Sequence, residues 1–314
     1  MFKYILKRLL SFIPVIIIVS IMAFLITHLM PGDPVRVILG NFASEEQVLN
    51  LKNQLGLNKP LYEQFVLWIF KIAKGDFGKS IFLNIPVKDA ILNRVEPTFL
   101  LALIGQSIGL FIGIPLGVIA AVKHKTIVDQ SAITISLIGV SIPSFWLSLI
   151  LILIFSVQLR WFPVCGYKPI SEVGFGVFRY LTLPGITLGF MQSGIISRMT
   201  RSSMLDVLRQ DYITTARNKG LIEILVIYRH ALKNALIPII TVIGFSFAVL
   251  LGGTWIVETV FNIPGTGSLA INAIMKRDYP VIQGSMIFVA IIYLCINLLI
   301  DICYAFLNPK VKYK

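Results

Sequence analysis

The sequence predicts an all-α integral membrane protein that crosses the bilayer six times, and three observations carry that reading. Of its 314 residues, 56% are hydrophobic and only 14% are charged, against about 25% charged in a soluble globular chain; the mean hydropathy is +0.85. Six stretches, 9–30, 98–122, 132–159, 181–196, 234–257 and 284–307, are apolar and carry a single charge between them, Asp301. A helix needs about 20 such residues to cross a bilayer. The charges then alternate. With six crossings, residues 1–8, 123–129, 198–233 and 308–314 share one side, with 15 Lys and Arg against 4 Asp and Glu, while the other side holds 13 and 10. Lys and Arg near span ends favour the cytoplasm, which places both termini and 198–233 there.

The same bookkeeping excludes other classes. A net charge of +13 in a soluble protein points to nucleic acid, but here the basic residues flank membrane spans, so no nucleic acid is expected. Cys165, Cys295 and Cys303 have neither paired nor metal-ligand spacing, and the last two read as small packing residues.

Taken in order, Lys3, Lys7 and Arg8 precede the first span. Its apolar run is longer than the ~7–15 residues of a signal peptide, so it reads as a retained anchor. Pro31-Gly32-Asp33-Pro34 stops it, because proline lacks an N–H and glycine favours turns. The outer segment 31–97 follows. Ser44 with Gln47 three residues on is a capping box that starts a helix ending at Gly56. Phe65, Ile69 and Ile72 give Tyr62–Lys74 a helical apolar face. In the second span Gly105, Gly109, Gly113 and Gly117 recur every four residues and share one face, where helix backbones can approach closely in lipid. Pro143 removes a backbone bond and kinks the third span. Gln106, Ser141, Ser144, Gln192 and Ser193 are polar at membrane depth. They either line a translocation path or hydrogen-bond a neighbouring helix.

Two motifs suggest chemistry and fail. Gly78-Lys79-Ser80 ends like a phosphate-binding loop, but the required first glycine is Ala73. Gly105-Gln106-Ser107-Ile108-Gly109 fits the nucleophile pattern, yet that motif needs a strand-to-helix turn and here sits about 14 Å into a span. His28, His124 and His230 lie at other depths, so no general base reaches Ser107. An intramembrane serine hydrolase is therefore a remote alternative, and a passive channel leaves the long polar loop without a purpose.

That loop is the most informative stretch. Asp211–Pro238 is polar at its ends, and its middle, Leu221–Ile227, is apolar except for Glu223. Seven apolar residues cannot cross a bilayer, so this patch faces either the chain's own bundle or another protein. Gly220 just before it implies a positive-φ turn or close backbone approach.

Ala216-Arg217, Lys219-Gly220, Arg229-His230-Ala231-Leu232, Asn234-Ala235 and Pro238 resemble the cytoplasmic signature loop of bacterial ABC importer permeases, nearest to the B-type permeases of dipeptide, oligopeptide and nickel importers. The family's Glu-Ala-Ala start falls on Thr214-Thr215-Ala216. Gly56–Pro60, Gly75–Gly78, Trp161–Pro163, Val257–Phe261, Arg277–Pro280 and Asn308–Lys310 extend the resemblance over nearly the whole chain. It implies a type I ABC importer permease fold, 1–314 forming one transmembrane permease domain in a bacterial cell membrane. It further implies a cytoplasmic coupling loop, 198–233, with Asp211, Thr215, Ala216, Arg217, Lys219, Gly220, Arg229, His230, Asn234 and Pro238 at or beside an ATPase-docking helix. The implied partners are a C-type permease forming a heterodimer, two ABC ATPase subunits and an extracytoplasmic solute-binding protein. No cofactor is expected on this chain, since ATP and Mg belong to the ATPase subunits. The implied cargo is a di- or oligopeptide, with nickel or a metal chelate as the alternative.

Overall fold

The computed structural model describes residues 2–29, 35, 39, 43–55 and 58–307. Among them the regular elements are helical apart from one isolated antiparallel bridge between Lys79 and Pro86. Helix α1 is Phe2–Leu29. Helix α2, Glu45–Leu55, opens on the capping box: Gln47 N donates to Ser44 Oγ at 3.3 Å and Ser44 N to Gln47 Oε1 at 3.0 Å. Helix α3 is Leu61–Ala73. The stops expected at Pro31–Pro34 and Gly56 lie outside the described residues.

Helix α4 is Val87–Val122, so it begins well before the expected start at 98. Val87, Ala90 and Ile91 are buried while Lys88, Asp89 and Leu92 face out. That amphipathic opening is invisible to a search for uncharged runs, and Pro97 sits inside the helix. The third span is two helices, α5 (Ile127–Ser141) and α6 (Ser144–Leu151, running on as a π-helix over Ile152–Gln158), bent by 96°. The expected kink is a full break because Ile142, held extended at ψ 124, precedes a proline that disfavours the helical conformation before it.

After a single turn at Ile170–Val173, α7 spans Val177–Leu208, twelve residues past the expected end at 196. The α8 helix is Asp211–Asn218. Helix α9 comprises Glu223–Leu225, a π-helical Val226–Leu232 and Lys233–Gly253. Then come α10 (Trp255–Val260), α11 (Thr266–Lys276) and α12 (Tyr279–Leu307). Among the described residues five helices are long and apolar enough to cross a membrane, and six if α5 with α6 is one broken crossing. Cys165, Cys295 and Cys303 are free and exposed rather than packed inside.

Within the expected single domain, contacts divide the chain into two compact units, Met1–Glu96 with Gly265–Leu294, and Pro97–Pro264 with Cys295–Lys314. In the first, Val87, Ala90 and Ile91 pack with Leu269, Ala273, Val281 and Ile282. The ring of Phe24 meets Phe65 at 5.4 Å and Trp68 at 5.8 Å, seating α3 on α1. A buried carboxylate, Asp278, fixes the turn before α4: Ser80 Oγ donates to it at 2.5 Å, and Ile81 N and Phe82 N at 3.3 and 3.4 Å.

In the second unit α7 is the central helix, flanked by α4, α5 and α9. A Cβ at Gly105 would lie 2.9 Å from Leu188 Cβ, at Gly109 2.7 Å from Gln192 Cβ, at Gly113 2.8 Å from Ser193 O, and at Gly117 2.5 Å from Thr200 Cβ. The four glycines therefore mark one continuous contact of α4 with α7. At the other end of α9, Glu258 is fully buried. Its Oε1 accepts from Thr98 Oγ1 at 2.7 Å and Thr254 Oγ1 at 2.8 Å. The short helix α10 turns Glu258 into the interior.

Candidate functional site

The polar stretch after α7 folds as a compact cap. In α8, Ile213 and Ala216 are three residues apart and share a face; both are buried, while Asp211, Tyr212, Thr215 and Arg217 point outward. Ile213 and Ala216 enter a core with Val118 and Ala121 of α4, Met204 of α7, and Val226, Ile227, Ala231 and Ala235 of α9. Burying an isoleucine fully is worth about 1.5–3 kcal/mol, so this seat rather than helix propensity holds an eight-residue helix.

Gly220 ends α8. Its φ is +76° and a Cβ there would meet nothing within 4 Å, so of the two reasons for a glycine the positive-φ turn is the one that applies. Leu221 N donates to Ala216 O at 3.4 Å and Gly220 N to Arg217 O at 2.9 Å, the paired bonds of a Schellman C-cap. The turn is bridged by Arg217, whose Nε and Nη2 reach Glu223 Oε2 and Oε1 at 3.1 and 2.6 Å. Farther along, Asn234 Nδ2 donates to Tyr212 OH at 2.9 Å. Thr215 Oγ1 donates back to Asp211 O at 2.9 Å. Lys219, Arg229 and Asn234 are exposed, His230 and Pro238 half-buried.

The apolar stretch 221–227 splits between the two roles left open for it. Val226 and Ile227 are in the core. Leu221, Ile222, Ile224 and Leu225 are exposed, Ile222 by 75% and Ile224 by 68%. These four give the segment after the Gly220 turn an apolar surface; Tyr212 and Tyr228 are exposed as well. Ala216, one of the coupling-loop positions, is buried in the chain's own core.

Beside the cap lies a charged cluster that the sequence reading counted only as topology. Arg201 on α7 grips Asp129 on α5 with two nitrogens, Nε to Oδ1 at 2.6 Å and Nη2 to Oδ2 at 2.8 Å. Lys125 N, turned by a φ of +65°, donates to Oδ2 at 3.0 Å. His124 Nδ1 lies 3.2 Å from both Asp129 Oδ2 and Arg201 Nη2. Asp129 is buried. The available signal was one acid following two lysines at a span end, opposite an arginine 72 residues on.

Of the path candidates, Gln106, Gln192 and Ser193 are buried. Ser246 Oγ donates to Gln106 Oε1 at 3.1 Å, Gln192 Nε2 to Ser246 O at 3.2 Å, and Ser193 Oγ to Phe190 O at 2.7 Å. Gln106 is thus hydrogen-bonded across to α9, and Ser193 back along its own helix. Gln192 also borders a cavity of about 260 Å³ with Val140, Ser144, Val249 and Thr254. Ser141 is exposed at the α5–α6 break. Ser107 Oγ is spent on Leu103 O at 2.7 Å in mid-helix, which is not a nucleophile elbow.

A bundle of helices long and apolar enough to cross a membrane, with a structured polar cap between two of them, defines a multi-pass membrane protein. The chain belongs to the family of binding-protein-dependent transport system inner membrane components: the family model matches residues 113–313, and the model of its N-terminal part matches residues 1–102. It is 44% identical over 310 residues to a probable peptide ABC transporter permease protein of Sinorhizobium fredii, covering 99% of both chains. It is 43% identical to a putative peptide transport system permease protein of Brucella abortus over 98% of both. With the glutathione transport system permease protein of Escherichia coli K12 it shares 41% over the full length of both. Among solved structures, the inward-facing MetNI methionine ABC transporter matches with a TM-score of 0.57 at 18% identity, over 69% of this chain and 96% of that one, which places the fold. The protein is a permease subunit of an ABC importer, multi-pass in the inner membrane, and it works with ATPase and binding-protein partners.

Proposed function

We propose that this subunit takes up di- or oligopeptides delivered by an extracytoplasmic solute-binding protein, and that the cap around Gly220 is where ATP-driven movement enters the chain. Relatives named for peptide and glutathione transport support the substrate class and give no support to nickel. Two ABC ATPase subunits, separate from this chain, hydrolyse ATP with Mg, and a C-type permease completes a heterodimer. The basic bias of the segments around 123–129 and 198–233 supports a cytoplasmic cap and cytoplasmic termini.

The observation that carries the coupling reading is the cap itself. One face of α8 is locked into the bundle, while the Gly220 turn holds Leu221, Ile222, Ile224 and Leu225 out in the open. An apolar surface fixed to a rigid base suits a groove on a partner. For a partner's movement to switch the permease, its contacts must differ between the two transport states.

Gly220→Val tests this, because a β-branched residue at φ +76° is strongly disfavoured. The variant is expected to insert and to pair with the second permease, yet to lose peptide uptake and peptide-stimulated ATP hydrolysis. Ile222→Asp, at a site 75% exposed, leaves the fold alone and should reduce ATPase co-purification. Normal uptake by both variants with the ATPase bound would show that this cap is not the lever.

A further inference from the structure

We propose that the Asp129–Arg201 pair is a positioning device for transport: it forces the start of α5 to move with α7 and the cap, and so passes the cap's displacement to the break at Ile142–Pro143. The inference rests on the coupling reading above. Arg201 belongs to the cap's base, since Met204, one turn on, shares a core with Ile213 and Ala216. Its planar fork holds both oxygens of Asp129 at 2.6 and 2.8 Å, a geometry that fixes direction as well as distance.

Farther along, α5 and α7 come close at two glycines, Gly139 on α5 and Gly194 on α7. A Cβ at Gly139 would stand 3.0 Å from Phe190 O, and one at Gly194 would run into Ser136 O. Such smooth backbone contacts let one helix slide or roll on the other. The bidentate pair does not slide, and Asp129 is the only charged residue of α5. Lys125 N and His124 hold the same carboxylate from the α4–α5 turn, so the pair grips that turn and α5 together. The far end of α5 carries Val140, which with Ser144 beyond the break borders the 260 Å³ cavity. A shift of α7 at Arg201 is thereby delivered to the cavity wall.

The experiment uses the complete transporter in vesicles with its ATPases and binding protein. Asp129→Asn keeps the shape and removes the charge. ATPase co-purification and the KM for ATP should stay at wild-type values while peptide carried per ATP hydrolysed falls about tenfold, within the usual range of coupling between sites. Arg201→Lys, which keeps charge and loses the fork, should fall between. Asp129→Glu, which keeps a carboxylate acceptor for Arg201 and for Lys125 N, should recover most of the ratio. An unchanged ratio in Asp129→Asn overturns the proposal. So does a parallel loss of assembly and hydrolysis in Asp129→Asn, since that marks a merely structural pair. If the wild-type chain does not retain the ATPase, the coupling reading itself fails, a result distinct from either.

Discussion

The α4–α7 contact and the α8–α9 contact are both tight, and they are tight for opposite reasons. Along α4 the contact exists because side chains are missing: four glycines let Leu188, Gln192, Ile196 and Thr200 of α7 come up to bare backbone. Under α8 the contact exists because side chains are present: Ile213 fills a core, and a fork of hydrogen bonds closes the turn above it. In lipid no hydrophobic force draws helices together, so close van der Waals packing has to serve. At the water boundary apolar burial does the work. The first contact is intolerant of any added volume, whereas the second is tolerant at its surface and sensitive at its base.

Three substitutions test that contrast. The largest effect is expected for Gly117→Leu, whose Cβ would stand 2.5 Å from Thr200 Cβ and 2.6 Å from Ser197 O. Overpacking typically costs about 1–3 kcal/mol and occasionally more; with backbone on one side this substitution belongs at the upper end, and little folded protein should be extracted from the membrane. A normal yield with normal thermal stability would show that α4 and α7 can separate cheaply. Next is Ile213→Ala, which hollows the seat of α8 and should cost about 2–3 kcal/mol. The damage should stay local, seen as faster tryptic cleavage at Arg209 or Lys219 with the bundle intact. Global loss of the protein would mean that the cap is part of the main fold. The smallest effect is expected for Arg217→Ala, because both partners of its ion pair are about half exposed. Such pairs are worth about 0–1 kcal/mol, so melting should barely change. A large drop would show that the turn depends on that pair rather than on Gly220.

The sequence was most legible where one rule acted alone. Six apolar runs marked the crossings, the Ser44–Gln47 spacing marked the start of α2, and four-residue glycine spacing marked one face of α4. Helix ends were less legible, because charge stops an apolar run without stopping a helix. Past 196 the α7 helix continues through Ser197, Thr200, Ser203 and Met204, all buried at helical spacing, while Arg198 and Ser202 face out. The split of 221–227 was open in the sequence because exposure there depends on the turn at Gly220. Arg201 with Asp129, and Glu258 with Thr98, were beyond reach: each pair joins residues far apart in the chain, 72 and 160 positions, and no local pattern encodes which partner a charge will find.

The break at Ile142–Pro143 has one further consequence, for thickness. Helix α5 has 15 residues, or about 22 Å at 1.5 Å per residue, against a hydrocarbon layer of about 30 Å. After a 96° turn, α6 runs nearly at right angles to α5, so the two together reach less far than one straight helix of the same length. Pro143 offers no N–H, so the carbonyl of Gly139 loses its helical donor, and lipid supplies none. A short crossing of this kind is matched by local thinning of the bilayer or by another protein surface seated against the bend.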